Sequence, residues 1–214
     1  AQNDQHNTTD DTELTYNMKL IQDSGKFKNQ LIYNYFDIER ATKGDGHVAK
    51  NYFGYRDSIN FIGEYNFDLD TRIVYGLDNE FDSAYYKDDW TGLYEEADEA
   101  VYSQYIDFQY RPEEKLYSTI GFRRDEHTTA GAYNTGRATL AYILDGNSKI
   151  RSSIGTGLRF PALYDYSYGT VLRNKEDVKP EKSTSMDLGY ETVFESIDTS
   201  FLTFLHLKNL PFAL

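Results

Sequence analysis

The chain of 214 residues contains no cysteine, which excludes disulfide frameworks, thiolate metal sites and cysteine nucleophiles. That absence suits passage through an oxidising compartment without fixing one. Histidine is sparse, and His6, His47, His127 and His206 are too scattered to suggest a zinc site. Positive charge is short: 22 Lys and Arg face 35 Asp and Glu, a net charge of −13. Nucleic acid is therefore excluded as a partner, because phosphate binding needs clustered cations. No stretch approaches the ~20 consecutive apolar residues of a membrane helix. The opening residues, Ala1 to His6, have neither the basic nor the apolar region of a signal peptide, so the expectation is that one was removed or that the chain is an excerpt.

What the chain does contain is tyrosine and alternation. Twenty Tyr against 13 Phe favours rings with one wet end, as at a membrane interface. Side chains alternate with a period of two, the mark of strands with two unlike faces. Met186, Leu188 and Tyr190 alternate with Asp187, Gly189 and Glu191; Ile59, Phe61, Gly63 and Tyr65 alternate with Asn60, Ile62, Glu64 and Asn66. This reading predicts an all-β chain, an antiparallel up-and-down meander of about ten strands. Their spans are 12–22, 29–39, 55–67, 71–81, 101–111, 115–124, 135–144, one strand starting at Lys149, one ending at Glu191, and 197–207.

Connections alternate in length. Short ones fall at 23–27, 68–70, 111–114, 145–148 and 195–196; long ones fall at 40–54, 82–100, 125–134 and 159–183. Tight turns on one rim and long loops on the other is the layout of a transmembrane β-barrel, the one membrane architecture that hydropathy windows miss. A soluble sandwich has no reason to sort loops by parity. Pro112, Pro161 and Pro180 sit in turns or loops, where no ladder N–H is missed.

One stretch also resembles a known family. Gly155-Thr-Gly-Leu-Arg-Phe-Pro-Ala-Leu-Tyr164, then Val178-Lys-Pro-Glu-Lys-Ser183, then a strand ending Leu-Gly-Tyr-Glu191, is similar to the barrel of TonB-dependent outer-membrane receptors, with the cobalamin and siderophore transporters as nearest kin. The hairpin around Arg111-Pro112 and Leu116-Tyr-Ser-Thr-Ile-Gly-Phe-Arg123 resembles the preceding hairpin of the same barrels. The resemblance implies a Gram-negative outer-membrane location, uptake of a scarce small-molecule nutrient, and partnership with outer-membrane lipid and the TonB complex. It also implies a 22-stranded barrel and an N-terminal plug carrying the coupling box. Residues 1–214 read as a partial barrel domain without that plug, and the tail from Leu207 to Leu214 departs from the family. A truncated gene, a frameshift or an excerpt is expected.

Candidate sites follow. Gly155 and Gly157 do not make a phosphate loop, since a third glycine, a lysine and a following helix are missing. Trp90, Arg159, Phe160, Tyr164, Tyr166 and Tyr168 fall on the long-loop side, and Tyr, Trp and Arg are the residues that form binding hot spots. They are the expected ligand-binding residues, set against a packing role on the rim. Asp88, Asp89, Glu95 and Glu96 offer hard oxygen ligands for calcium, although their spacing is not that of an EF-hand; a solvated acidic loop, with room for one helical turn in 87–99, is the alternative. No other cofactor is implied. Lys149 and Arg151 sit on the wet face, and charge pairs with Asp187 or Glu191 across the hairpin are expected, because a cation on the lipid side costs ~2–4 kcal/mol near the midplane. No catalytic residue stands out, and an enzyme is not expected. Two rival readings are a stand-alone small outer-membrane barrel acting as porin or adhesin, and a soluble glycan-binding β-sandwich.

Overall fold

The computed structural model describes residues 7–44, 47–89, 91–163, 179–194 and 197–209. The strands are β1 (Asn7–Ser24), β2 (Phe27–Gly44), β3 (His47–Asn66), β4 (Thr71–Asp88), β5 (Leu93–Tyr110), β6 (Leu116–His127), β7 (Gly131–Ile143), β8 (Ser148–Arg159), β9 (Glu181–Phe194) and β10 (Ile197–Asn209). They form one ten-stranded antiparallel sheet in sequence order, as the meander reading predicts. A sandwich needs a second sheet, and among the described residues there is none.

The two faces are sharply unlike. One carries Leu14, Tyr16, Met18 and Leu20 of β1, Leu77 of β4, Ile120 of β6, and Leu140, Met186 and Leu188 of β7 and β9, all exposed. The other carries arginines, lysines and acids. Only Tyr86 and Ala100 are buried hydrophobics among the described residues, so no dry core exists for the apolar face to join. An apolar surface of this extent is not left in water. Lipid covers it at about 1.5–3 kcal/mol per large side chain.

The apolar band does not follow the ladder rows. The outward row Leu20, Leu31, Phe61, Leu77 continues into Gln104, Arg124 and Asn134. In β5 to β9 the apolar row is instead Phe108, Ile120, Ala138, Ile154 and Met186, nearer the short turns. A band that stays level while the rows climb means tilted strands with a staggered register, the condition for a barrel wall. On β6 the band ends between Phe122 and Arg124.

The expected loop lengths need correcting. Residues 40–54 and 82–100 are mostly strand: β2 runs to Gly44 and β3 begins at His47, while β4 runs to Asp88 and β5 begins at Leu93. The 125–134 connection is a three-residue turn at 128–130, and no helical turn forms in the described part of 87–99. Only the link between Arg159 and Glu181 is long. Above the lipid both faces are wet, so the strand continues without apolar alternation to announce it. The short turns near 23–27, 68–70, 111–114 and 145–148 fall where predicted, and the one at 195–196 lies outside the described residues. Asp68 accepts the N–H groups of Asp70 and Thr71 at 2.9 and 2.7 Å, and Gly25 takes a φ of 74°.

Candidate functional site

The polar face is a net of ion pairs. Arg56 forks onto Asp82 at 2.6 Å and lies 3.4 Å from Glu80. Arg123 meets Asp78 at 2.9 Å and Asp125 at 2.8 Å, and Ser103 donates to Asp125 at 2.5 Å. Arg137 reaches Asp107 at 2.7 Å by crossing Gly121 of the strand between them; a Cβ there would strike both side chains. Lys149 and Arg151 both bind Glu191, at 2.8 Å each. Asp187 is not their partner: the register sets it opposite Ser153, which donates to it. A hollow of about 500 Å³ near the short turns is lined by Arg72, Gln109, Tyr117, Thr139, Arg151 and Asp187, among others. The polar face is thus the recessed one.

The other rim is made by the tips at 89–92 and 128–130 and by the link after Arg159. At the first tip Asp88 is buried and organises the turn. It takes the hydroxyl of Tyr86 at 3.1 Å and the N–H of Thr91 at 3.3 Å, while its carbonyl accepts from Gly92, whose φ is 70°. Burial, reinforced by Asp88, pushes the Tyr86 phenol up to about 12. Asp89 pairs with Lys87 at 2.7 Å. Glu95 and Glu96 are adjacent on a strand and point to opposite faces, and Glu96 accepts from Tyr94 at 3.0 Å. The four acids proposed for calcium therefore do not converge, and no metal-sized group of three acids or histidines occurs among the described residues.

At the second tip the organiser is His127, which the sequence did not single out. Its Nδ1 accepts the N–H groups of Thr129 and Ala130, both at 3.0 Å, and its Nε2 lies 3.1 Å from Glu99. Phe160 packs on this imidazole with ring centroids 4.6 Å apart, and its edge meets Tyr133 at 6.0 Å. Lys182 lies 4.7 Å over Tyr133. Phe160, expected to bind ligand, is thus tied to the rim by packing, with Arg159 exposed beside it. Trp90, Tyr164, Tyr166 and Tyr168 lie outside the described residues. The arrangement combines rings, cations and acids on a rigid scaffold above a recessed polar wall, and suits holding a polar ligand.

The profile of the family described as TonB dependent receptor-like, beta-barrel matches residues 1–204. The chain belongs to that family. It is accordingly a protein of the Gram-negative outer membrane, with the apolar band facing lipid. Solved structures with the same fold include the siderophore receptor PirA from Pseudomonas aeruginosa, at TM-score 0.76 and 12% identity over 92% of this chain and 39% of that one. The copper transporter OprC gives 0.71 and 15%, over 94% and 40%. The alcaligin outer-membrane receptor FauA from Bordetella pertussis gives 0.69 and 18%, over 95% and 38%. The chain spans about two fifths of the length of these structures. No curated protein sequence matches it significantly.

Proposed function

We propose that these strands form a wall and outer rim in a receptor that imports a scarce nutrient by TonB-dependent transport. The supporting observation is the pairing of a lipid-facing apolar band with a recessed, ion-paired inner face beneath a rim of rings and charges. A metal chelate of the siderophore type is the substrate we favour over cobalamin. PirA is named as a siderophore receptor, FauA as an alcaligin receptor and OprC as a copper transporter, and the rim offers aromatic and cationic groups of the kind that hold anionic chelates.

In this reading Arg159, Lys182 and Tyr133, with Trp90, Tyr164, Tyr166 and Tyr168, meet the ligand from outside. The Arg56, Arg123, Arg137 and Arg151 pairs keep the wall rigid and wet, so that a polar solute can pass along it. Energy coupling belongs to a plug domain, which these residues do not supply, and to the TonB complex acting on it. The test is deletion of the gene that encodes this chain, followed by radio-iron uptake from a panel of ferric chelates. Loss of uptake from one chelate, restored by the intact gene but not after removal of TonB, supports the reading. Unchanged uptake from every chelate and of cobalamin would refute it.

A further inference from the structure

His127 is the most enclosed ionisable group on the outer rim, with 3% of its surface exposed. Its hydrogen bonds assign its state. Two backbone N–H groups point at Nδ1, so that nitrogen carries no proton, and the proton sits on Nε2, which donates to Glu99. We infer that neutral His127 is a positioning residue of the rim, a latch that pins the 128–130 turn and, through Phe160, the start of the 160–180 link, and that acid opens it. This rests on the reading above that the rim captures the ligand.

The turn has few other holds. Thr128 donates its N–H to the carbonyl of Ala100 at 3.0 Å and accepts the Ala100 N–H on its hydroxyl at 3.1 Å. Thr129 and Ala130 both give their N–H to the imidazole. A proton on Nδ1 would set three donors against one another and remove both acceptor contacts at once. Phe160 lies on the face of the same ring, so a displaced imidazole takes away the surface on which the link begins. Below Phe160 is a hollow of about 300 Å³ lined by Glu80, Ser103, Arg123, Asp125 and Thr135, among others, room into which a freed ring can move.

The charged groups around the latch come from each neighbouring strand. β5 gives Glu99, β6 gives Arg123 and Asp125, β4 gives Glu80 and Asp82 with Arg56 of β3 on them, and β8 and β9 give Arg159 and Lys182. Glu99, 3.1 Å from Nε2, favours the imidazolium, while burial opposes it. Burial lowers the His127 value below the ordinary histidine range. The sign follows: the unfolded chain takes the proton first, so the latch is at full strength above pH ~6.5 and is lost as pH falls through the lowered folded value. His127 lies beyond Arg124, outside the apolar band, so solvent protons reach it.

The experiment is backbone hydrogen exchange of the peptide containing Thr129 and Ala130, in the intact receptor in lipid nanodiscs, with rates corrected for intrinsic pH dependence. From pH ~7.5 to pH ~5, protection in the wild type should fall by roughly tenfold. In His127→Gln, whose amide accepts and donates without titrating, protection should stay flat. Wild-type protection that does not fall, or that falls equally in the variant, overturns the latch. Should His127→Gln fail to fold, Glu99→Gln serves, because loss of the carboxylate must move the transition to lower pH, and an unmoved transition is equally fatal. Binding of a ferric tris-catechol chelate is measured on the same samples. Acid-weakened binding in the wild type only supports the positioning role, and an opening latch with binding unaltered overturns that role. Absence of binding at every pH counts against the capture reading, and the exchange result still decides the latch.

Discussion

β1 to β5 run 18–20 residues, whereas β6 to β9 run 12–14. Six residues at about 3.3 Å each give the first group some 20 Å of extra strand, all of it beyond the lipid. In the low wall, the outer face of β6 is greasy as far as Phe122, with the Arg124–Glu126 pair above it, and the inner face holds the other ion pairs. In the overhang of the tall wall, both faces are wet and both are cross-linked. Phe53 stacks on Tyr85 at 4.3 Å on one face, Tyr52 meets Tyr86 at 4.7 Å on the other, and Arg40 binds Asp11 at 2.9 Å. Where lipid no longer sorts the side chains, cross-strand ring and charge pairs take over the work of holding the sheet.

The largest effect should come from breaking the lipid-facing side. Ile120→Arg places a cation in the band and should lower folding stability by ~2–4 kcal/mol, while Tyr94→Arg, outward-facing on the overhang, should cost ~0–1 kcal/mol. Denaturant titration of both variants in lipid vesicles compares them, and equal losses would erase the distinction between the walls. Next comes the glycine contrast. Gly121→Ala drives a methyl into Asp107 and Arg137 and should cost ~1–3 kcal/mol, as overpacking does. Gly54→Ala on the tall wall meets Ile38 at 3.5 Å and the Ser83 carbonyl at 3.9 Å, both ordinary contacts, and should stay within ~0.5 kcal/mol of wild type. The same titration reads both.

The smallest effect sets the two rims against each other. Two backbone N–H groups hold the Asp68 carboxyl below its usual range, so its contribution to the lower turn is present above that range and fades only as pH falls through the lowered value. Amide exchange at Asp70 and Thr71 should therefore remain slow at a pH where the 128–130 turn has already loosened. Asp68→Ala should speed it throughout the range above that lowered value.

The lipid-facing half of the fold could be read from the residues because lipid writes a period of two. The expected spans 115–124 and 135–144 lie within one or two residues of β6 and β7, apart from their outer tips. The overhang carries no such signal, because water on both faces writes nothing, and Lys87 to Glu99, acidic enough to suggest a loop, is largely two paired strands. Glu191 was legible as a partner of Lys149 because the two face each other across neighbouring strands. His127 was not, since its meaning depends on Glu99 across the ladder and on Phe160, two strands further on. Register was the missing information in each case.

Arg137 of β7 reaches back to Asp107 of β5, and Arg123 of β6 to Asp78 of β4, each bridging over an intervening strand. No single hairpin can form either bridge. Each bond closes only once three strands stand side by side in the right register, and a slip of one residue would turn the arginine toward the hydrocarbon. Growth of this part of the wall is therefore proofread one strand late: β6 and β7, as each docks, are checked by an arginine against the strand before last.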